Sequence, residues 1–115
     1  MESSLEEFLL VLNRWKSEAV KVRVAASFPL GGEFVSTTVL EGRLTLEERS
    51  STLSVLSEDG STFLLGFTGA SVGYATPADI EFGSLVALIQ SPEEIEDILI
   101  VRHSSATVCL FSLKP

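Results

Sequence analysis

The amino-acid sequence predicts a mainly β fold, in which one N-terminal α-helix is followed by a strongly bent antiparallel sheet of five or six strands, either open or closed into a small barrel. The hydrophobic period changes at Val20 from about 3.6 residues to about 2. Two alternating stretches flank a polar segment between Glu41 and Gly60, which is typical of a β-meander. Asp59-Gly60 also stands between two apolar stretches, a strong hairpin signal because glycine readily adopts positive φ.

The length and composition of the chain indicate one domain that associates with itself. Its 115 residues predict a single domain over 1–115, with a helix in 1–19 and the sheet or barrel in 20–115. A formal charge of −8 argues against non-specific binding to duplex nucleic acid or to a membrane surface, since both depend on basic residues. A mean hydropathy of +0.36 is high for a small chain, so we expect a homo-oligomer that buries apolar surface between subunits.

The single cysteine and the short apolar stretches favour a cytoplasmic protein. Cys109 has no second cysteine with which to form an internal disulfide, so a reducing compartment is expected. The apolar stretch from Phe8 to Leu12 is too short to span a bilayer, and no membrane partner is expected.

The N-terminal segment predicts an amphipathic helix that begins at Leu5. Ser4 and Glu7 have the spacing of a capping box, in which each side chain bonds to the backbone amide of the other residue. One arc of the helix is apolar and comprises Leu5, Phe8, Leu9, Val11, Leu12, Trp15 and Ala19. Leu10 points the other way, so it is either a single exposed leucine or a contact to another subunit.

The next segments predict two long strands joined by a turn. Residues 20–26 alternate between apolar and other side chains, and residues 29–32 carry a turn signal. Residues 34–47 are long enough for one bent strand, with a bend or bulge at Gly42. A short strand over 52–57 follows.

The second half of the chain predicts less regular structure before a final hairpin. Residues 66–83 suggest a strand followed by a long loop, and residues 85–90 suggest a buried strand. Pro92 and the acids that follow it predict one helical turn that extends to Asp97. The last hairpin is predicted from strands 98–103 and 106–113. The predicted core comprises Val22, Val24, Leu44, Leu53, Val55, Phe63, Leu65, Leu88, Ile100 and Val108.

The only pair that could form a thiol nucleophile with an imidazole base is Cys109 with His103. If residues 104–105 form a two-residue loop, His103 pairs with Ala106 and Ile100 pairs with Cys109. Strand alternation then sends the imidazole and the thiol to opposite faces of the sheet. The sequence therefore predicts no catalytic dyad.

Metal and cofactor sites are not predicted either. One His and one Cys cannot build a zinc site without acids, and the acidic run over 93–97 lacks the ligand spacing and internal glycine of a calcium loop. The glycines of residues 66–73 match neither a phosphate loop nor a dinucleotide fingerprint. We therefore expect no catalytic, cofactor-binding or metal residues, and a protein that is not an enzyme.

The segment from Gly42 to Val55 resembles the first motif of the Sm-like proteins. The family's glycine and apolar positions are matched by Gly42, Leu44, Leu53 and Val55, and Glu48 stands where the family usually carries Asp. The resemblance implies a small barrel of the Sm or SH3-like kind, placed after an N-terminal helix, that assembles into rings through strand edges.

The residues that bind RNA in that family are not matched in this chain. Thr52 replaces the family Asn that orders the nucleotide loop, and Ser50 replaces the base-stacking residue. The net charge of −8 also disfavours RNA as a partner.

Three functional hypotheses follow from the sequence. The first is a non-enzymatic Sm-like module that assembles into a homo-oligomer or ring, with an assembly surface formed by Leu10, Val108 and Leu110. The second is an RNA-binding Sm-like protein. The third is a barrel that binds small apolar ligands, with the aromatic residues Trp15, Phe67 and Tyr74 facing the ligand.

Overall fold

A computed structural model describes residues 4–31, 34–77, 92–103 and 106–114. It contains one helix, α1 (Leu5–Ser17), and the strands β1 (Lys21–Gly31), β2 (Phe34–Glu47), β3 (Thr52–Leu56), β4 (Thr62–Gly66), β5 (Ser71–Ala75), β6 (Ile95–His103) and β7 (Ala106–Leu113). A 3-10 helix, Pro92–Glu94, precedes β6. The predicted strand over 85–90 and the predicted core residue Leu88 lie outside the described residues.

All seven strands belong to one antiparallel sheet with the order β4-β3-β2-β1-β7-β6-β5. The mainly β class with an N-terminal helix is confirmed, but the described residues already form seven strands rather than the predicted five or six. The last strand, β7, inserts between β1 and β6 and so joins the N-terminal meander to the C-terminal hairpin. Within the described ranges no ladder joins β4 to β5, so the sheet is open and does not form a closed barrel.

The open sheet nevertheless curls. His103, at the end of β6, donates from Nε2 to the carbonyl oxygen of Gly66 in β4 at 2.6 Å. Five strand spacings separate β6 from β4 in the sheet order, which in a flat sheet amounts to about 24 Å at the usual spacing of about 4.8 Å. Curvature therefore brings one end of β4 close to β6 without pairing the two edges.

Helix α1 begins as the sequence predicts and packs on the inner face of the sheet. The backbone amide of Glu7 donates to Oγ of Ser4 at 3.2 Å, which confirms the N-cap. Phe8, Leu12 and Trp15 are fully buried against the strands. The chain leaves the helix through Ala19, whose φ is 51°, and β1 then starts at Lys21.

The two faces of the sheet bury different residues because strand side chains alternate. The cluster on the inner face, under α1, contains Val22, Val24, Ala26, Leu44, Leu53, Val55, Phe67, Val72, Leu99, Val101, Val108 and Leu110. A smaller cluster on the outer face contains Ala25, Ile95, Ile98, Cys109 and Phe111. Of the predicted core residues, Phe63, Leu65 and Ile100 are half-buried rather than fully buried.

Gly42 is required by a close approach and not by a bulge. Pairing between β1 and β2 is uninterrupted around Gly42, and the register shift falls between Pro29 and Gly31 instead. A Cβ atom at Gly42 would overlap the backbone carbonyl of Leu56. Only glycine therefore allows β3 to end so close to β2.

Two predicted local features have different outcomes. Gly60 has a φ of 92°, which confirms the turn between β3 and β4. The predicted helical turn to Asp97 is wrong beyond Glu94, because Ile95 already pairs with Leu113 in the sheet.

No helix in the described parts of the chain is long and apolar enough to cross a membrane.

Candidate functional site

A β-bulge at the start of β6 turns one carboxylate into the protein interior. Ile95 pairs with Leu113 and Ile98 pairs with Phe111, so Glu96 and Asp97 together lie opposite one residue of β7. Asp97 lies on the inner face and is only 4% exposed. A buried carboxylate is the first place to look for chemistry.

Four side chains donate hydrogen bonds to the Asp97 carboxylate. Its Oδ1 accepts from Nε1 of Trp15 at 3.1 Å and from Oγ of Ser112. Its Oδ2 accepts from the hydroxyl of Tyr74 at 3.2 Å and from the guanidinium of Arg14. We call these five residues the Asp97 network. A carboxylate accepts about four hydrogen bonds, so no acceptor position remains for a substrate.

The charges of the Asp97 network keep its donors protonated. Burial lowers the pKa of Arg14, but the charge of Asp97 and its hydrogen bond outweigh this effect and leave that pKa raised. Burial first, and then the charge of Asp97, raise the pKa of Tyr74. Arg14 therefore stays charged and Tyr74 stays a neutral donor. The network joins α1 to β5, β6 and β7, which is a structural role.

The three aromatic residues predicted to face a ligand do not line a common cavity. Trp15 and Tyr74 direct their polar atoms to Asp97. Phe67 is buried and packs edge-to-face on Phe8, with ring centroids 5.3 Å apart. Phe67 also contributes to an open cavity of about 290 Å³ that is lined partly by Leu5 and polar loop residues. This volume lies just below the usual range for small-molecule sites, which begins at about 300 Å³.

His103 and Cys109 lie on opposite faces of the sheet. His103 pairs with Ala106 and Ile100 pairs with Cys109, as the predicted two-residue loop requires. Burial raises the pKa of the Cys109 thiol to about 11, although the charge of Arg102 acts in the opposite direction. A neutral buried thiol with no imidazole beside it is not a nucleophile.

No group of three or more His, Cys, Asp or Glu side chains among the described residues is arranged to hold a metal ion. The charged cluster on the outer face instead consists of ion pairs. Arg23 lies 2.9 Å from Glu41 and 3.7 Å from Glu94, and its Nη1 is buried without a hydrogen-bond partner in the described structure. The two carboxylates already compensate this cation, so the cluster does not form an anion site.

The predicted assembly residues are separated by the fold. Leu10 is 70% exposed on α1, and its role in assembly stays a prediction. Val108 and Leu110 are only 3% and 0% exposed, because β7 is a central strand under the helix rather than an edge strand. Their side chains belong to the core, so the assembly surface predicted from the sequence reduces to Leu10.

The structure exposes a different leucine, which was not among the assembly residues predicted from the sequence. Leu64 is 70% exposed on β4, a terminal strand of the sheet. Its neighbours Phe63 and Leu65 pack against the core, so strand alternation directs Leu64 to solvent. This alternation is a signal in the sequence, but it identifies an edge residue only once the strand order is known.

The hydrogen-bond pattern shows which side of each β4 residue is free. The amide of Ser57 donates to Ser61 and the amide of Phe67 donates to Ser51, each at 2.8 Å, at the two ends of the β3–β4 ladder. Antiparallel pairs alternate between bonded and non-bonded. Phe63 and Leu65 therefore bond to β3.

The intervening residues Thr62, Leu64 and Gly66 consequently direct their backbone N–H and C=O groups away from the sheet. We call these three residues the β4 edge. The carbonyl of Gly66 is occupied by His103. Among the described residues no strand pairs with this side of β4.

Comparison of the chain with known proteins gives no match. No family model, no curated protein and no solved structure matches it. The Sm-like resemblance therefore stays a prediction, and only the contacts described above bear on function.

Proposed function

We propose that this protein is a non-enzymatic assembly module whose copies join into a homo-oligomer through the β4 edge. The observation that carries this proposal is Leu64, which is 70% exposed at the centre of a strand whose outer side pairs with no other strand among the described residues. An apolar side chain and free backbone donors at one edge form a template for another strand.

The composition of β4 supports the proposal. Soluble proteins usually protect edge strands with charged side chains, proline or bulges. The sequence of β4, Thr-Phe-Leu-Leu-Gly, contains none of these. Leu56, on the neighbouring strand, adds a second half-exposed leucine beside it. An oligomer interface would explain why this edge carries no protection.

The sites that might have supported catalysis are occupied by internal contacts. The carboxylate of Asp97 is bonded by four donors, and the Cys109 thiol is buried and neutral. Neither group is free to act on a substrate, which supports a binding role over an enzymatic one.

The Sm-like alternative, RNA binding, finds little support around the β2–β3 turn. Glu48 in that turn accepts a hydrogen bond from Asn13 of α1 at 2.8 Å. The neighbouring Ser50 and Thr52 offer no ring on which a base could stack. Such a role would require a salt-dependent affinity for single-stranded RNA.

The proposal is tested by the mass of the protein in solution. Light scattering behind a sizing column, over a range of protein concentrations, would compare the wild type with Leu64→Lys and Leu10→Lys. The two leucines are equally exposed, and each substitution changes the net charge from −8 to −7, so they are matched. We expect the wild type to exceed the 12.4 kDa of one chain as concentration rises. Leu10→Lys should behave likewise, because the proposal places the interface at the β4 edge instead of at Leu10, the residue predicted from the sequence.

Leu64→Lys is expected to remain a monomer, because a lysine at an edge opposes strand pairing. A wild type that stays monomeric at every concentration would overturn the proposal. So would a Leu64→Lys variant whose mass follows that of the wild type.

A further inference from the structure

We infer that β4 pairs antiparallel with β4 of a second copy of this chain, across a two-fold axis that passes beside Leu64. The inference deepens the proposed function and rests on it. It specifies the partner as an identical chain, the symmetry as two-fold, and the product as a dimer with one continuous sheet.

The backbone geometry of the β4 edge fits this pairing. Thr62, Leu64 and Gly66 all direct their N–H and C=O groups to the free side, at every second residue. In the inferred register Leu64 faces Leu64 of the second copy, and Thr62 faces Gly66. Each of these residue pairs is then a bonded pair, and the two central leucines exchange both of their hydrogen bonds. The carbonyl of Gly66 already accepts from His103, so Thr62 of the second copy donates to its second lone pair.

The side chains fit the same register. On the outer face the two exposed leucines come together across the axis and shield each other from water. Gly66 has no side chain, and no described atom lies within 4 Å of the position that its Cβ would take, so the side chain of Thr62 from the second copy has room on that face. On the inner face the half-buried Phe63 lies opposite Leu65 of the second copy, which extends the core across the junction.

Charge also favours an antiparallel partner. The chain is strongly acidic, but β4 itself carries no charged residue, so the two strands can approach without repulsion between them. Glu58 and Asp59 form the turn just before β4. In the antiparallel register, this acidic turn lies toward the Gly66 end of the second copy, where its His103 is held. The two acidic turns therefore lie at opposite ends of the paired strands and do not face each other.

The small size of the contact predicts a weak dimer. A five-residue strand buries far less than the roughly 800 Å² per partner of a standard stable interface. We therefore expect a dissociation constant of about micromolar or weaker. Association should depend strongly on protein concentration.

Disulfide trapping tests the register directly. Bonded residues in an antiparallel pair have Cα atoms about 5.5 Å apart, within the range that a disulfide spans. The cysteine of Leu64→Cys should therefore form a disulfide with the same cysteine of a second chain under mild oxidation and give a covalent dimer on a non-reducing gel. Leu10→Cys is the matched control and should remain a single chain. The native Cys109 is buried and should not contribute.

A charge exchange tests the symmetry. We expect Leu64→Lys and Leu64→Glu, each alone, to raise the dimer dissociation constant about tenfold or more, because like charges then face each other across the axis. An equimolar mixture should recover dimers, since the lysine of one copy then faces the glutamate of the other. Only a residue close to a two-fold axis meets itself in this way.

The outcomes separate the two proposals. A wild type that is monomeric at every concentration contradicts both the assembly function and the inferred pairing. An oligomeric wild type whose Leu64→Cys variant does not cross-link, and whose charged variants do not recover on mixing, contradicts the β4 pairing alone. Masses above that of two chains would likewise replace the two-fold dimer with another arrangement.

Discussion

The Asp97 network and the β4 edge differ in how much of their bonding capacity is used inside one chain. Both combine polar groups with apolar surroundings. The carboxylate of Asp97 is almost fully buried, and four donors from three elements occupy it. At the β4 edge, backbone groups face outward, and Leu64 at its centre is exposed.

This difference assigns the two regions separate roles. A buried polar group must be paired, since an unpaired one costs about 1–3 kcal/mol. Once paired, such a group has few hydrogen-bonding positions left for another molecule. An edge strand retains donors, acceptors and an apolar side chain that a second strand can use. The Asp97 network therefore holds the fold together, whereas the β4 edge is the region that we propose pairs with another molecule.

The largest expected effect comes from breaking the Asp97 network. Asp97→Ala leaves the indole N–H of Trp15 without its acceptor in the interior and removes the carboxylate that faces Arg14. The hydroxyl of Ser112 keeps the backbone carbonyl of residue 97 as an acceptor. We expect the free energy of unfolding to fall by about 3 kcal/mol. Urea denaturation followed by Trp15 fluorescence measures this change.

Arg14→Ala is the matched control for that measurement. The Arg14 side chain is 48% exposed, so water replaces much of its contact with Asp97. Its loss should cost about 1 kcal/mol or less. Equal losses for both variants would contradict the view that the buried carboxylate, rather than the ion pair, organises the network.

A smaller effect is expected from the buried thiol, and it depends on pH. The folded state raises the pKa of Cys109 from 9.0 to about 11, chiefly by burial. Between these values the unfolded chain loses the proton while the folded chain retains it. The contribution of the protonated thiol to the free energy of unfolding is therefore complete below pH 9, and it is lost as the pH rises toward about 11.

Chemical denaturation of the wild type and of Cys109→Ala at pH 8, 9 and 10 isolates this contribution. These pH values lie on both sides of 9.0, the pKa at which the thiol of the unfolded chain loses its proton. The wild type should lose stability with rising pH more steeply than the variant, which lacks the thiol. Parallel pH profiles would show that Cys109 is not held neutral by the fold.

Local features of this fold follow from the sequence because they depend on neighbouring residues. The N-cap at Ser4 and the turn at Gly60 are confirmed, since side-chain capping and positive φ are local requirements. The pairing of His103 with Ala106 is confirmed for the same reason. A short loop fixes the register of the two strands that it joins.

The order of the strands does not follow from such local signals. Pairing of β1 with β7 joins segments at opposite ends of the chain, and alternation alone cannot identify that partner. It places Val108 in the core and leaves β4 as an edge. Leu64 and Asp97 acquire their roles only from this long-range arrangement.

In the dimer that we infer, the free side of β4 is bonded to a second copy of the chain. Hydrogen exchange of individual amides at low and high protein concentration tests it most directly. We predict that the amides of Thr62 and Leu64 exchange rapidly in dilute protein and become protected as concentration rises. The amides of Phe63 and Leu65, which bond to β3, should be protected throughout. Rapid exchange of Thr62 and Leu64 at every concentration would show that no second strand pairs with β4.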